Sequence, residues 1–152
     1  MIIDQIQTLK QTVGRLLGVD FGDVRTGLAI SDATRFLASG METIRPGSMT
    51  KTAEAVAEAA RANGVVGIVV GLPVNMNGSQ GGRAEHARMF AQMLDERLPD
   101  MPILLLDERM TTMAASRFLN ETNTRGQKRK QVIDTLSAQI ILQNALDRLK
   151  NC

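Results

Sequence analysis

Hydrophobic runs and amphipathic segments alternate along the chain, and their spacing predicts both strands and helices. Strands are predicted over 15–20 (RLLGVD), over 26–31 (TGLAIS) and within 36–44. The connection between the first two strands, residues 21–25, contains a glycine and favours an antiparallel hairpin. The start of the chain therefore predicts three antiparallel strands.

Two later runs are typical of strands that are buried on both faces. Residues 65–70 (VVGIVV) and 103–106 (ILLL) are continuous, apolar and too short for helices. Apolar residues recur at helical spacing in four further segments, over 48–63, 84–94, about 111–119 and 132–149. Alternating strands and helices imply parallel strands with right-handed crossovers. We therefore expect an α/β fold, with a mixed five-stranded sheet of three antiparallel strands and then parallel strands, flanked by helices.

Length and composition limit the class of protein. The chain has 152 residues, 43% of them hydrophobic and 22% charged, which is typical of one globular domain. We expect this domain over 15–150, after an N-terminal extension at 1–14. The single cysteine, Cys152, excludes an intrachain disulfide and favours a reducing compartment. Since we find neither a signal peptide nor an apolar run of about 18 residues, we expect a cytoplasmic protein with no membrane partner.

Positive charge is concentrated in one segment, although the net charge is only +2. Residues 117–130 include five basic residues and one acidic residue, a local charge of +4 that leaves −2 for the rest of the chain. Such a concentration attracts a polyanion, although a solvated, flexible loop has the same composition. Tyrosine and tryptophan are absent, so we do not expect base stacking to be the main binding mode. Nucleic-acid contacts should be mainly with phosphates.

Carboxylates occur at the ends of predicted strands and near the start of the last predicted helix. Asp20 ends the first strand, Asp107 and Glu108 end the fifth, and Asp134 lies in the helix. Carboxylates that converge on one sheet edge repel one another unless a hard cation such as Mg²⁺ or Mn²⁺ neutralises them. Two such ions about 4 Å apart can activate water and stabilise the leaving oxygen in phosphodiester cleavage. Each carboxylate taken singly could instead cap a helix or pair with an arginine.

Four motifs, in this order and at these spacings, give the sequence a more specific resemblance. They are Gly18-Val19-Asp20-Phe21-Gly22 with Arg25, Gly27 and Ser31-Asp32; Val70-Gly71-Leu72-Pro73 followed by Asn77-Gly78-Ser79; Asp107-Glu108-Arg109-Met110-Thr111-Thr112; and Asp134-Thr135-Leu136-Ser137-Ala138. Over roughly residues 15–149 the chain resembles the YqgF family, the Holliday-junction-resolvase-like nucleases of pre-16S rRNA, which have an RNase H-like fold. The resemblance implies metal-dependent hydrolysis of structured nucleic acid in the cytoplasm.

The resemblance also implies a metal site. Asp20, Glu108 and Asp134 would be the catalytic residues and would hold two ions of Mg²⁺ or Mn²⁺. Asp107 is an alternative ligand. Because neighbouring residues of an extended segment point to opposite sides, one of Asp107 and Glu108 should face the metals, and we favour Glu108. Ser137 stands where the family more often has alanine.

A second set of residues would bind the nucleic acid. Arg25 has an alternative interpretation as an ion-pair partner of Asp32. The basic segment would hold the phosphate backbone beside the metal site. The complete set of expected nucleic-acid contacts is Arg25, Asn77, Arg109, Arg125, Lys128, Arg129 and Lys130.

The leading hypothesis is an endonuclease that matures the 5′ end of pre-16S rRNA, with structured RNA as its partner and an association with the ribosome. One alternative is a resolvase that cuts branched DNA. Another is a nucleic-acid-binding factor without catalysis, which retention of all three candidate ligands argues against. The Asp-x-Gly hairpin also occurs in actin-like phosphotransferases, but these need a second domain for which 152 residues leave no room.

Overall fold

The computed structural model describes residues 1–22, 24–45, 47–73, 81–107 and 126–151, with side chains from residue 135 onwards in the last of these ranges. In chain order the elements are β1 (Ile2–Ile3), α1 (Gln7–Lys10), β2 (Leu16–Asp20), β3 (Thr26–Ser31), β4 (Ala38–Ile44), α2 (Met49–Ala62), β5 (Gly67–Leu72), α3 (Gly82–Arg97), β6 (Ile103–Asp107) and α4 (Gly126–Lys150). The helix predicted near 111–119 lies outside the described residues.

The strands form one mixed sheet in the order β1-β6-β5-β2-β3-β4. The β2–β3 and β3–β4 pairs are antiparallel, and the β2–β5 and β5–β6 pairs are parallel. Antiparallel strands followed by parallel ones are what the sequence predicts, and that prediction is confirmed. The two buried runs, β5 and β6, lie inside the sheet, which is why both of their faces are apolar.

Among the described residues the sheet has six strands, so the prediction of five is wrong by one. Ile2 and Ile3 pair in parallel with Ile103 and Leu104 of β6 and form the sixth strand. Two apolar residues are too few to give a strand pattern by themselves, and the free edge of β6 provides the hydrogen-bonding partner. In the same N-terminal segment, Leu9 of α1 is fully buried in the core.

Helices cover both faces of the sheet. On one face, apolar residues of β2, β3, β5 and β6 pack against α2 and α3; we call this the α2/α3 face. On the other, which we call the α4 face, Leu16, Val69 and Leu104 pack against α4. A Cβ placed on Gly18 would lie 2.7 Å from Cβ of Leu142. The missing side chain at Gly18 therefore lets α4 lie directly on β2.

Contacts with β4 set the direction of α4. The Thr135 hydroxyl lies 3.3 Å from the Thr43 hydroxyl near the end of β4, whereas the Gln143 side-chain oxygen accepts from the Ala38 amide at the start of β4, at 2.9 Å. The helix therefore runs antiparallel to β4. Since β4 and β2 point the same way, the N-terminal half of α4 lies towards the end of β2.

The last helix starts earlier than the sequence pattern predicts. It begins at Gly126, six residues before the predicted start. Lys128, Arg129 and Lys130 therefore belong to the first turns of α4, and the interpretation of the basic segment as a flexible loop is wrong for these three residues. Within the described residues, no helix is long and apolar enough to cross a membrane.

Candidate active site

Asp20 is the last residue of β2, an interior strand, and is half-buried. Successive residues of a strand point to opposite faces. Leu17 and Val19 belong to the core of the α2/α3 face, and Leu16 belongs to that of the α4 face. Asp20 is two residues after Gly18 and four after Leu16, so all three positions lie on the same face of the strand. Its position therefore belongs to the α4 face.

The residues after Asp20 hold the end of β2 in place. Phe21 points to the opposite face and stacks on Phe90 of α3, with ring centroids 4.5 Å apart and ring planes 18° apart. Phe90 is fully buried, so the stack anchors the turn in the core. A Cβ on Gly22 would lie only 2.4 Å from the Arg25 carbonyl oxygen, so the turn requires glycine there. This role of Phe21 was not predicted, although the two-residue period of the strand already places Phe21 opposite Asp20.

Asp107 ends β6 at the same sheet edge but on the other face. Its register partner is Leu72 of β5, and β5 pairs with β2. Two strand spacings, about 10 Å, therefore separate β6 from β2. Asp107 lies on the same face of β6 as Ile103 and Leu105, because successive odd-numbered residues of the strand point the same way. Ile103 and Leu105 pack on the α2/α3 face. Asp20 and Asp107 are thus at one edge but on opposite faces of the sheet.

Residue 134 lies in α4, one helical turn before Ala138. A Cβ on Gly18 would lie 2.9 Å from the Ala138 carbonyl oxygen, so Ala138 marks where α4 meets β2. One turn of helix advances about 6 Å, and the two residues from Gly18 to Asp20 advance about 6.7 Å in the same direction. The backbone at Asp134 therefore stands level with Asp20 on the same face.

Arg25 immediately precedes β3 and is half-buried. Asp32 immediately follows β3, so six strand residues, about 20 Å, separate the two. The interpretation of Arg25 as the ion-pair partner of Asp32 is therefore wrong. The Asp32 carboxylate accepts instead from the Thr34 hydroxyl and from the backbone amides of Phe36 and Leu37, the last two at 2.8 and 3.0 Å. Arg25 lies at the same edge as Asp20.

The remaining predicted site residues fall wholly or partly outside the described residues. Within the described part of the chain, no group of three acidic, histidine or cysteine side chains could hold a metal ion. Two of the three expected ligands, Glu108 and Asp134, have no described side chain. Outside the described residues lie Asn77, Glu108, Arg109 and Arg125, and for Lys128, Arg129, Lys130 and Asp134 the structure describes the helical backbone alone.

Two solved structures with a similar arrangement of sheet and helices are resolvases. Thermus thermophilus RuvC in complex with a Holliday junction substrate aligns with a TM-score of 0.58 and 12% identity, over 91% of this chain and 98% of that one. The resolvase of Fowlpox virus, in complex with Holliday junction DNA, aligns with a TM-score of 0.51 and 10% identity, over 87% and 98%. The chain therefore has the RNase H-like fold of these resolvases, as predicted.

Sequence comparison defines the family. Residues 14–148 match the model of the RuvX family, described as Holliday junction resolvase, and the chain belongs to this family. A protein of Paracoccus denitrificans named "Putative pre-16S rRNA nuclease" is 42% identical over 99% of this chain and 96% of its own length. One of the same name from Caldanaerobacter subterraneus subsp. tengcongensis is 47% identical over 90% and 99%. The predicted resemblance and the nuclease class are confirmed.

Proposed function

We propose that this nuclease is a divalent-metal-dependent endonuclease that trims the 5′ end of pre-16S rRNA in the cytoplasm, in association with the ribosome. The observation that carries the proposal is the position of Asp20 at the end of an interior strand, on the face covered by the helix that contains Asp134. The name shared by the relatives from Paracoccus and Caldanaerobacter supports the choice of RNA substrate. The whole site would lie within residues 15–150, in a single domain.

Asp20, Glu108 and Asp134 are the proposed metal ligands. Asp20 and the backbone at Asp134 lie level on the α4 face, and a strand extended by one residue beyond Asp107 would turn Glu108 to that face. Asp107 belongs to the α2/α3 face, which argues against it as a ligand. A set of carboxylate oxygens suits two ions of Mg²⁺ or Mn²⁺. Bound there, the ions would supply an activated water and charge stabilisation for the leaving oxygen.

The chain's own residues would bind and orient the RNA. Lys128, Arg129 and Lys130 lie at the N-terminal end of α4, and this end of the helix is directed towards the edge that holds Asp20. Both their charge and the helix dipole favour phosphate there. The other proposed backbone contacts are Arg25, Asn77, Arg109 and Arg125.

A second candidate substrate is a four-way DNA junction. The description of the family as Holliday junction resolvase and the titles of the two structural neighbours favour it. Phosphodiester hydrolysis by the same carboxylates would serve either polymer, since phosphate contacts do not distinguish RNA from DNA.

Cleavage by the Asp20→Asn variant tests the proposed function. The variant keeps the shape of the side chain but loses the negative charge that holds the metal, so we expect at least about a hundredfold loss of rate. The measurement is cleavage of a labelled pre-16S rRNA fragment and of a four-way DNA junction, each with Mg²⁺ or Mn²⁺.

The matched control is Asp100→Asn, because Asp100 is an exposed carboxylate that precedes β6 at the opposite sheet edge. It should cleave like the parent. Equal rates for Asp20→Asn and the parent would contradict the carboxylate assignment. Binding without cleavage under every metal condition would favour the non-catalytic factor.

A further inference from the structure

The loop between β3 and β4, residues 32–37, presents two large apolar side chains to solvent. Phe36 is 62% exposed and Leu37 is 68% exposed. The loop is nevertheless firmly held, because the Asp32 carboxylate accepts from both of their amides and the Gln143 side chain donates to the Phe36 carbonyl at 3.1 Å. The two apolar side chains are therefore presented to solvent on a fixed backbone.

Arg35 fixes the same loop in a rarely used conformation. Its φ is +61°, in the left-handed region that non-glycine residues seldom occupy. Its guanidinium donates to the Gly14 carbonyl at 2.7 Å, to the Leu9 carbonyl at 2.8 Å and to the Thr12 hydroxyl at 2.6 Å. Strain of this kind persists where the surroundings over-determine the backbone, often at functional loops.

A groove of about 260 Å³ lies between this loop and the C-terminal end of α4. Leu146 and Leu149 contribute apolar surface to it, while Lys10, Arg35 and Lys150 are its charged residues. None of the described residues that line it is acidic. The Lys150 ammonium lies 4.6 Å from the centre of the Phe36 ring and 4.0 Å from the Asp147 carboxylate. The groove thus combines an exposed aromatic ring with cations, and we call it the Phe36 groove.

We propose that the Phe36 groove binds an unpaired segment of the nucleic-acid substrate, with a base stacked on Phe36 and phosphates beside Lys10 and Lys150. Aromatic rings beside a cationic groove are the usual means of binding single strands. The inference rests on the proposed function in one respect, because a nucleic acid must already be bound at the Asp20 edge. An acidic protein surface would fit the cations too, but the chain's substrate is already a polyanion.

The distance between the groove and Asp20 sets a minimum length for the unpaired tail of the substrate. β3 runs from Thr26, beside Asp20, to Ser31, beside the loop, and six strand residues span about 20 Å. At about 3.4 Å per stacked nucleotide, roughly six unpaired nucleotides bridge this distance. Only a substrate with a tail of that length should occupy both places.

The test is the binding of fluorescein-labelled duplex RNA with unpaired tails of 3 or 12 nucleotides, measured by anisotropy in EDTA so that no cleavage occurs. Phe36→Ala should weaken binding of the 12-nucleotide tail about tenfold and leave the 3-nucleotide tail unchanged. Phe36→Tyr, which keeps a ring, should bind like the parent. Lys150→Gln should reduce the slope of log affinity against log salt by about 0.7 for the long tail.

The matched control is Met89→Ala, since Met89 is a 45% exposed apolar residue on α3. Parental binding of the long tail by Phe36→Ala and an unchanged salt slope in Lys150→Gln would overturn the inference. This outcome is compatible with full loss of cleavage in Asp20→Asn, so it would not count against the proposed function. Conversely, cleavage by Asp20→Asn would count against the proposed function, and weaker binding of the long tail by Phe36→Ala would still support the Phe36 groove.

Discussion

Adjacent residues at the end of β2 face opposite ways. Asp20 belongs to the α4 face, whereas Phe21 is stacked on Phe90 in the core beneath α2 and α3. The strand geometry that directs Asp20 to one face therefore also anchors it from the other. Aromatic pairs contribute about 0.5–1.5 kcal/mol beyond the burial of their area, so the stack stabilises this position of Phe21.

Ser137 is a buried polar residue of α4. Its side chain is 1% exposed, and its hydroxyl has no hydrogen-bond partner among the described residues. Burying such a group without a partner costs about 1–3 kcal/mol. We therefore predict that Ser137→Ala raises the free energy of unfolding by about 1 kcal/mol, measured by urea denaturation.

Thr52 provides the matched control for Ser137. It is also buried, but its hydroxyl donates to the Ser48 carbonyl at 2.8 Å. Thr52→Val should therefore lower stability by about 1 kcal/mol. A loss of stability in both variants would show that the Ser137 hydroxyl is satisfied in solution.

At the scale of elements, Arg35 joins the β3–β4 loop to the end of α1. Arg35→Ala removes all three hydrogen bonds of the guanidinium, so we expect a loss of about 1–3 kcal/mol and faster amide exchange over 7–14. Arg35→Gly removes the same bonds but tolerates a positive φ. It should therefore be more stable than Arg35→Ala by about 1 kcal/mol.

Urea unfolding of the two variants separates these effects. Equal stability of Arg35→Ala and Arg35→Gly would mean that the loop relaxes out of the left-handed conformation once the guanidinium is gone. Parental exchange rates over 7–14 would contradict the role of Arg35 in holding α1.

The strongly patterned elements were predictable from sequence, and the weakly patterned ones were not. β3 has the predicted bounds, Thr26–Ser31, because its turns and apolar run are local signals. β1 was missed because two isoleucines gain strand geometry only by pairing with β6. α4 was predicted too short, since residues 126–131 are polar and show no apolar stripe.

At the scale of the whole molecule, Asp32 makes one contribution to the dependence of stability on pH. The Thr34 hydroxyl, followed by the backbone amides of Leu37 and Phe36, holds the pKa of Asp32 at about 2, below its ordinary value of 3.8. The folded-state pKa is the lower one, so the ionised carboxylate stabilises the fold. This contribution is fully present above about pH 4 and is lost as the pH falls towards 2.

We predict that Asp32→Asn is less stable than the parent at pH 7 and loses less stability between pH 4 and pH 2. Urea unfolding at pH 2, 3, 4 and 7 measures both differences. Asp100→Asn is the control, because it removes an exposed carboxylate elsewhere. Parallel pH profiles for Asp32→Asn and the parent would contradict the role of Asp32.

The sequence by itself determined the order of the described elements from β2 onwards, the mixed sheet and the three candidate carboxylates, because periodicity, turns and motifs are local properties of the chain. Only the tertiary structure decided the sixth strand, the face to which Asp20 and Asp107 each belong, and the separation of Arg25 from Asp32. It also brought Phe36, 26 residues after Lys10 and 114 before Lys150, into one groove with both lysines. These relations depend on strand register and helix direction, which pairing between distant segments fixes.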